Sequence, residues 1–257
     1  MTRLQQPRHP YLDHPSPIPF AHRGGTADGL ENTAAAFRRA AAAGYRYFET
    51  DVHTTADGRL VAFHDATLDR VTNVRGRIAQ LPWGEVSQAR VAGREPLPLF
   101  EELLDEFPEA RWNVDIKAEG ALEPLVDLIR GRDAWDRVCV GSFSESRVAR
   151  AYRLAGPRLA TSFGVRGVLG LRLRSLGIPA SLRTGAVCAQ VPEAQGGVRI
   201  VDRRFVREAH ARGLQVHVWT VNDADRMATL LDLGVDGIMT DNLETLRTVL
   251  SDRGVWH

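Results

Sequence analysis

The chain has 257 residues, 44% of them hydrophobic and 25% charged, which is typical of a globular protein with a sizeable core. Its formal net charge of +1 excludes a general electrostatic attraction to nucleic acid or to a membrane surface. Cys139 and Cys188 are the only cysteines, too few for a disulfide framework. No stretch is apolar enough to span a bilayer, and the N-terminus carries charges and prolines where a signal peptide needs an apolar run, so we expect a cytoplasmic protein.

The first elements of the chain predict a strand, a helix and a second strand. Residues 1–17 contain many prolines and predict an irregular leader. The segment PIPFAHRGG then predicts a short apolar strand that ends at His22 and Arg23, followed by two glycines that let the backbone approach a ligand closely. The alanine-rich segment after it predicts a helix, which Asn32 or Thr33 can cap.

The next stretch, FETDVHTTADGRLVAFHD, places two acids and a histidine in two apolar segments joined by an Asp-Gly turn. Side chains of a strand alternate between its faces, so Glu49 and Asp51 point the same way and converge on one spot. Two close carboxylates suit a hard divalent cation such as Mg²⁺ or Ca²⁺. The second segment is apolar until it ends at His64, which predicts an imidazole at the mouth of the site.

The rest of the chain alternates between short apolar strands and amphipathic helices. Residues 66–96 interrupt this pattern and predict a loop-rich insertion that covers the site. Eight strand-helix units can be counted in all, which predicts a single (β/α)₈ TIM-barrel domain over residues 18–257. The polar side chains expected at the carboxyl ends of these strands, where barrel enzymes keep their active sites, are His22, Glu49, Asp51, Asp115, Lys117, Ser142 and Trp219.

These motifs resemble those of the glycerophosphodiester phosphodiesterase family. The similar segments are HRGG followed by ENT, then ETDVHTTADGRLVAFHD, LDR, NVDIK, VWTVN and GVDGIMTD, spanning residues 18–242. The resemblance implies that His22 and His64 form the acid/base pair. It further implies metal ligation by Glu49, Asp51 and the acid of the NVDIK motif, phosphate binding by Arg23 and Lys117, and packing of Trp219 on the substrate.

The chain departs from the family pattern at the third metal ligand. The family has glutamate at the middle of the NVDIK motif, whereas this chain has Asp115, which is one methylene shorter. Glu119 is a weaker substitute, on the same face if the strand continues. His53 is assigned a supporting hydrogen bond, Glu31 and Asn32 the shaping of the loop and the helix cap, and Asp241 a part in closing the barrel.

The sequence therefore predicts metal-dependent hydrolysis of glycerophosphodiesters to sn-glycerol 3-phosphate and an alcohol. The expected cofactor is one divalent cation, Mg²⁺ or Ca²⁺, and the expected partner is the small-molecule substrate, with no nucleic acid and no stable membrane insertion. One alternative is a phospholipase D-like barrel acting on phospholipids or lysophospholipids, whose apolar rim would have to come from Leu81, Trp83 and Val86 of the insertion. The other is a non-catalytic barrel that binds a phosphoester. The sequence leaves open the head group, the oligomeric state and which histidine is the base.

Overall fold

The computed structural model describes residues 9–15, 17–182 and 185–257, so most of the predicted leader lies outside the described residues. Within these ranges, eight short parallel strands form one sheet. The strands are β1 (Ile18–His22), β2 (Tyr47–Thr54), β3 (Arg111–Ile116), β4 (Val138–Gly141), β5 (Ala160–Thr161), β6 (Cys188–Pro192), β7 (Gln215–Trp219) and β8 (Gly237–Thr240). All eight predicted strands are present.

The sheet closes on itself. The neighbours run in chain order from β1 to β5, and β1 also pairs with β8, which pairs with β7 and through it with β6. The gap between β5 and β6 is bridged by a parallel contact of Ser162 with Cys188. The predicted (β/α)₈ barrel is thus confirmed, and every strand ends at the same rim.

Apart from one short helix within residues 66–96, the helices alternate with the strands and cover the outside of the barrel. They are α1 (Ala34–Ala42), α2 (Trp83–Val86), α3 (Phe100–Glu106), α4 (Leu122–Gly131), α5 (Glu145–Ala155), α6 (Val165–Ser175), α7 (Arg203–His210), α8 (Ala224–Leu233) and α9 (Leu243–Asp252). Of the two candidate caps of α1, Thr33 is the one used, since its Oγ1 accepts a hydrogen bond from Ala36 N at 3.1 Å. None of the helices in the described part of the chain is both long and apolar enough to cross a membrane.

The segment after β2 folds back on the barrel before α3. Strand Leu60–Ala62 pairs antiparallel with β2 across the predicted turn, where Gly58 adopts a φ of 82°. The insertion that follows has a small apolar core of its own. Val86 is fully buried in it, and Leu81 and Trp83 pack against it. The insertion therefore does not supply the apolar rim that the phospholipase alternative assigned to it.

The hydrophobic core has two layers. The larger layer lies between the barrel and its helices, where Trp112 packs edge-on against Phe37 and Phe48. The smaller layer fills the barrel interior with the side chains of Phe20 and Tyr47, among others. Tyr11, from the predicted leader, is fully buried in this interior layer, so at least this part of the leader packs as part of the core.

Candidate active site

A cleft of about 400 Å³ opens at the carboxyl ends of the strands. All of the side chains predicted for catalysis, metal binding and substrate binding line it, namely His22, Arg23, Glu49, Asp51, His64, Asp115, Lys117 and Trp219. They come from β1, β2, β3 and β7 and from the loops that follow these strands. The barrel thus brings together residues that are up to 197 positions apart in the sequence.

The register of three neighbouring strands sets the position of the acids. His22 on β1 lies beside Glu49 on β2, and Asp51 on β2 lies beside Asp115 on β3. Because residues that are paired across parallel strands point to the same face, these side chains all face the cleft. Glu49 and Asp51 are only 6% and 1% exposed, so their charges must be balanced locally.

His22 is held by a carboxylate that the sequence analysis had assigned to barrel closure. Asp241, directly after β8, accepts a hydrogen bond from His22 Nδ1 at 2.7 Å. His22 Nε2 is 3.7 Å from Glu49 Oε2. Burial would lower the pKa of His22, but Glu49 and the hydrogen bond to Asp241 outweigh it and raise the pKa above its ordinary value. This pairing fixes the tautomer and leaves Nε2 for proton transfer.

His64 has an arrangement of the same kind. Asp65 accepts a hydrogen bond from His64 Nδ1 at 2.6 Å and a second from Arg70 Nε at 2.5 Å. Burial would raise the pKa of Asp65, but these two partners lower it to about 2. His53 Nε2 contacts the backbone carbonyl oxygen of His64 at 3.1 Å, which agrees with the supporting role predicted for it. Two Asp–His pairs therefore face one cleft.

Arg23 occupies a tight turn at the end of β1. Its φ is 53°, and its backbone N–H donates to Glu49 Oε2 at 3.1 Å. Its Nη1 donates to Glu31 Oε1 at 3.0 Å, while its Nε lies 3.3 Å from Asp51 Oδ2 without the angle of a hydrogen bond. Glu31 also accepts two hydrogen bonds from Arg70, at 3.0 and 2.7 Å. An ionic chain thus connects Arg23 through Glu31, Arg70 and Asp65 to His64.

Lys117 lies between two carboxylates. Its Nζ is 2.8 Å from Asp51 Oδ1 and 2.7 Å from Asp115 Oδ2. Burial would lower the pKa of Lys117, but Asp51 and Asp115 raise it, so the ammonium stays charged. Asn32 donates to Asp51 Oδ2 at 3.1 Å, which places the amide in the site and not at the helix cap.

The pKa values of the two acids of β2 are shifted in opposite directions. Burial and the repulsion of Asp51 raise the pKa of Glu49. Burial would raise the pKa of Asp51 as well, but Lys117 and Arg23 lower it. Both cations that line this part of the cleft, Arg23 and Lys117, already face carboxylates. An anionic substrate therefore needs further positive charge here.

The chemistry of the donors fits a hard divalent cation. Glu49, Asp51 and Asp115 offer carboxylate oxygens, and Asp115 Oδ1 is buried without a hydrogen-bond partner. Among the described residues, no three His, Cys, Asp or Glu side chains are already gathered as a ligand set. The ammonium of Lys117 lies between the carboxylates of Asp51 and Asp115.

The structure excludes Glu119 as a substitute ligand. Strand β3 ends at Ile116, and Glu119 opens a 3₁₀ helix on the outside, where it pairs with Arg150 at 2.5 Å. Trp219 lines the other side of the cleft and packs edge-on against Phe143, with 5.7 Å between ring centroids. Its position is compatible with packing on a substrate.

Sequence analysis missed the site contacts of five polar residues, which are Glu31, Asn32, Asp65, Arg70 and Asp241. Asp241 follows a strand at the catalytic rim, the same signal that identified His22. Arg70 belongs to the LDR segment that carried part of the family resemblance. Glu31 and Asn32 were read as loop and cap residues because they precede a helix. Their contacts with Arg23 and Asp51 depend on the folded turn after β1.

Comparisons with known proteins point to one family. The model of the glycerophosphoryl diester phosphodiesterase family matches residues 22–245. The Mycobacterium tuberculosis protein named "Probable glycerophosphodiester phosphodiesterase 2" is 43% identical over 96% of this chain and 95% of its own length. A glycerophosphodiester phosphodiesterase of Bacillus altitudinis is 30% identical over 86% of this chain and 93% of its own length.

Solved structures share the fold. An Oleispira antarctica phosphodiesterase in complex with the product sn-glycerol-3-phosphate superimposes with a TM-score of 0.76 at 21% identity, covering 92% of this chain and 97% of that one. The matched segment includes both histidines, the three acids and the two cations of the cleft described above. The chain belongs to the glycerophosphoryl diester phosphodiesterase family.

Proposed function

We propose that this chain hydrolyses glycerophosphodiesters to sn-glycerol 3-phosphate and an alcohol. The observation that carries the proposal is the pair of imidazoles on one cleft, each fixed at Nδ1 by an aspartate, Asp241 for His22 and Asp65 for His64. Breaking a P–O bond needs a base for the attacking oxygen and an acid for the leaving oxygen. Two oriented histidines supply one of each near neutral pH.

The two histidines account for both proton transfers of the reaction. One histidine takes the proton of the attacking water as the new P–O bond forms. The other donates a proton to the alcohol oxygen as the old P–O bond breaks. After one turnover the two histidines have exchanged protonation states, and exchange with solvent restores them. The partly exposed side chain of His64 gives solvent access to this step.

The phosphate would be bound by Arg23 and Lys117, with Trp219 packing on the rest of the substrate. Both cations already face carboxylates, so we propose a divalent cation, Mg²⁺ or Ca²⁺, held by Glu49, Asp51 and Asp115. When bound, such a cation polarises a phosphoryl oxygen and offsets the negative charge of the cleft. With these acids holding a cation, the Lys117 ammonium would neutralise a phosphate oxygen. We also propose the cytoplasm as the location.

The test is release of sn-glycerol 3-phosphate from glycerophosphocholine and glycerophosphoethanolamine by the His22→Ala and His64→Ala variants. Each variant should lose at least about a hundredfold in kcat, because each removes one proton-transfer group. Leu154→Ser, at an exposed position on the far end of α5, serves as the control and should keep wild-type turnover. Wild-type kcat in both histidine variants would contradict the proposal.

A further inference from the structure

The side of the barrel built by α6, α7 and the segment between them is positively charged. Residues 165–210 contain eight arginines and three acids, a net charge of +5, whereas the whole chain has a net charge of +1. The rest of the chain therefore carries a net charge of −4. The small net charge of the whole chain thus conceals a basic side, which attracts anions locally.

Apolar side chains are exposed where this basic side meets the mouth of the cleft. Phe143 follows β4, Val165 opens α6 after β5, and Val198 lies in a hairpin after β6. Because these three strands are neighbours in the barrel, the loops that follow them lie side by side at its rim. Phe143 and Val165 line the cleft, and Val198 pairs with Gln195, which lines it too.

The hairpin after β6 projects from the rim. Its strands Ala194–Gln195 and Val198–Arg199 pair antiparallel through a two-residue turn, in which Gly196 and Gly197 have φ values of 55° and 79°. All six of its residues are exposed. No heavy atom beyond the adjoining residues lies within 4 Å of the position that a Cβ would take at either glycine. The tip of the hairpin therefore stands free of the barrel.

Exposed arginines accompany these apolar side chains. Arg166 follows Val165 and Arg199 follows Val198, and neither arginine forms an ion pair within the described part of the chain. Leu169 lies one helical turn beyond Val165. We call these residues the rim patch, which consists of Phe143, Val165, Arg166, Leu169, Val198 and Arg199. Its four apolar side chains are 57–64% exposed, and a group of such side chains indicates a binding surface.

We propose that the rim patch docks reversibly on the surface of a bilayer that contains anionic lipid, with the mouth of the cleft facing the head groups. A bilayer surface offers both partners that the rim patch needs, because its phosphates bind arginine and its hydrocarbon boundary takes up apolar side chains. A soluble anion would bind the arginines and leave the apolar side chains in water. Such docking is peripheral, and it does not depend on the proposed hydrolysis.

The experiment is cosedimentation of the full chain with two kinds of vesicle, one of phosphatidylcholine alone and one of phosphatidylcholine and phosphatidylglycerol in equal parts. Wild-type protein should bind the anionic vesicles at least about tenfold more strongly, since each arginine near an anionic surface gains about fivefold in binding. Raising the salt from about 0.1 M to about 0.5 M should remove most of this difference, because salt screens the attraction.

Two variants separate the charged from the apolar contribution. Arg166→Glu/Arg199→Glu should reduce binding to the anionic vesicles at least about tenfold, because it replaces attraction by repulsion. Leu169→Ser/Val198→Ser should reduce binding by about tenfold, because less hydrocarbon is buried. None of these four side chains lines the cleft, so both variants should keep the wild-type Tm and the wild-type turnover of glycerophosphocholine.

The matched control is Arg153→Glu/Leu154→Ser, which makes the same changes at two exposed neighbours near the end of α5. It should bind vesicles as the wild type does. Equal binding of the wild type to both kinds of vesicle would overturn the inference. So would wild-type binding by the charge-reversed variant, or an equal loss in the control. A wild-type dimer that Leu169→Ser/Val198→Ser converts to a monomer in analytical ultracentrifugation would assign the rim patch to a second copy of this chain and would also overturn it.

Discussion

Arg70 connects the insertion to both sides of the catalytic cleft, and its removal should reduce activity more than stability. Its guanidinium donates three charge-assisted hydrogen bonds, two to Glu31 at 3.0 and 2.7 Å and one to Asp65 at 2.5 Å. In Arg70→Met, Asp65 loses the partner that helps to orient it toward His64. Glu31 keeps only its hydrogen bond from Arg23. Losing such an outer partner of a functional histidine lowers activity by about 10- to 100-fold.

The stability cost can be worked from the same contacts. Hydrogen bonds to charged groups contribute roughly 1.5–3 kcal/mol each when buried. The Arg70 side chain is 47% exposed, so solvent screening reduces the sum of its three bonds to about 1–2 kcal/mol. For a domain of this size that corresponds to a fall in Tm of roughly 2–8 °C. The variant should therefore be folded and assayable at 25 °C.

The assay measures kcat and KM for glycerophosphocholine beside thermal unfolding. Arg59→Met is the matched control, because Arg59 is 45% exposed and pairs with Glu101 at 2.5 Å. It should lose little in Tm and nothing in kcat. Arg70→Lys keeps the positive charge but not the planar guanidinium group with its several N–H donors. Its kcat/KM should lie between those of wild type and Arg70→Met. An Arg70→Met variant with wild-type kcat/KM would refute the role of the ionic chain.

Three further changes test separate parts of the site and fold. Asp241→Asn keeps the size of the acceptor but not its charge, so the pKa of His22 should fall and kcat should drop by about 10- to 100-fold, measured across pH 5–9. Asp115→Asn should weaken Mn²⁺ binding by at least about tenfold in calorimetric titration, since it removes a carboxylate from the donor set. The hydrogen bond to Asp236 raises the pKa of His210, so the stability it contributes is present below about pH 6.5 and is lost as pH rises through the raised pKa. The difference in Tm between wild type and His210→Gln should accordingly be larger at pH 5.5 than at pH 9.

The fold could be predicted because its signals are local. Each strand is a short apolar run, each helix has its own period, and their alternation specifies a barrel without knowledge of any long-range contact. The alternation of side chains along a strand placed Glu49 and Asp51 on one face. Lys117 and Trp219 were placed near them because barrel enzymes keep their active sites at the carboxyl ends of the strands. These predictions needed only the pleat of a strand and the direction of parallel strands.

The missing parts of the site depend on contacts that no local pattern encodes. His22 and Asp241 are 219 residues apart and meet only because β8 pairs with β1 when the barrel closes. Arg70 reaches Glu31 across 39 residues from within an insertion without periodicity. Glu119 was misplaced because the end of β3 at Ile116 could not be located from the sequence. Tertiary contacts decided each of these positions.

The burial of the insertion's apolar residues was also beyond local reasoning. The large apolar residues of the insertion were the natural candidates, yet they pack into a core of their own. Large apolar residues that are exposed lie elsewhere, among them Val165 and Leu169 on α6, whose sequence VRGVLGLRLRS looks like an ordinary barrel helix. Whether such residues face a core or water depends on which neighbours cover them, and that is visible only in the folded chain.

The most direct test of the account is the release of sn-glycerol 3-phosphate from glycerophosphocholine by EDTA-stripped protein, with Mg²⁺, Ca²⁺ and Mn²⁺ then added back singly. The account predicts that stripping abolishes turnover and that at least one of these cations restores it, because Arg23 and Lys117 already face carboxylates of the site. Full turnover after stripping would contradict the proposed cation. No product with any cation, from protein that binds Mn²⁺, would contradict the proposed hydrolysis of glycerophosphodiesters.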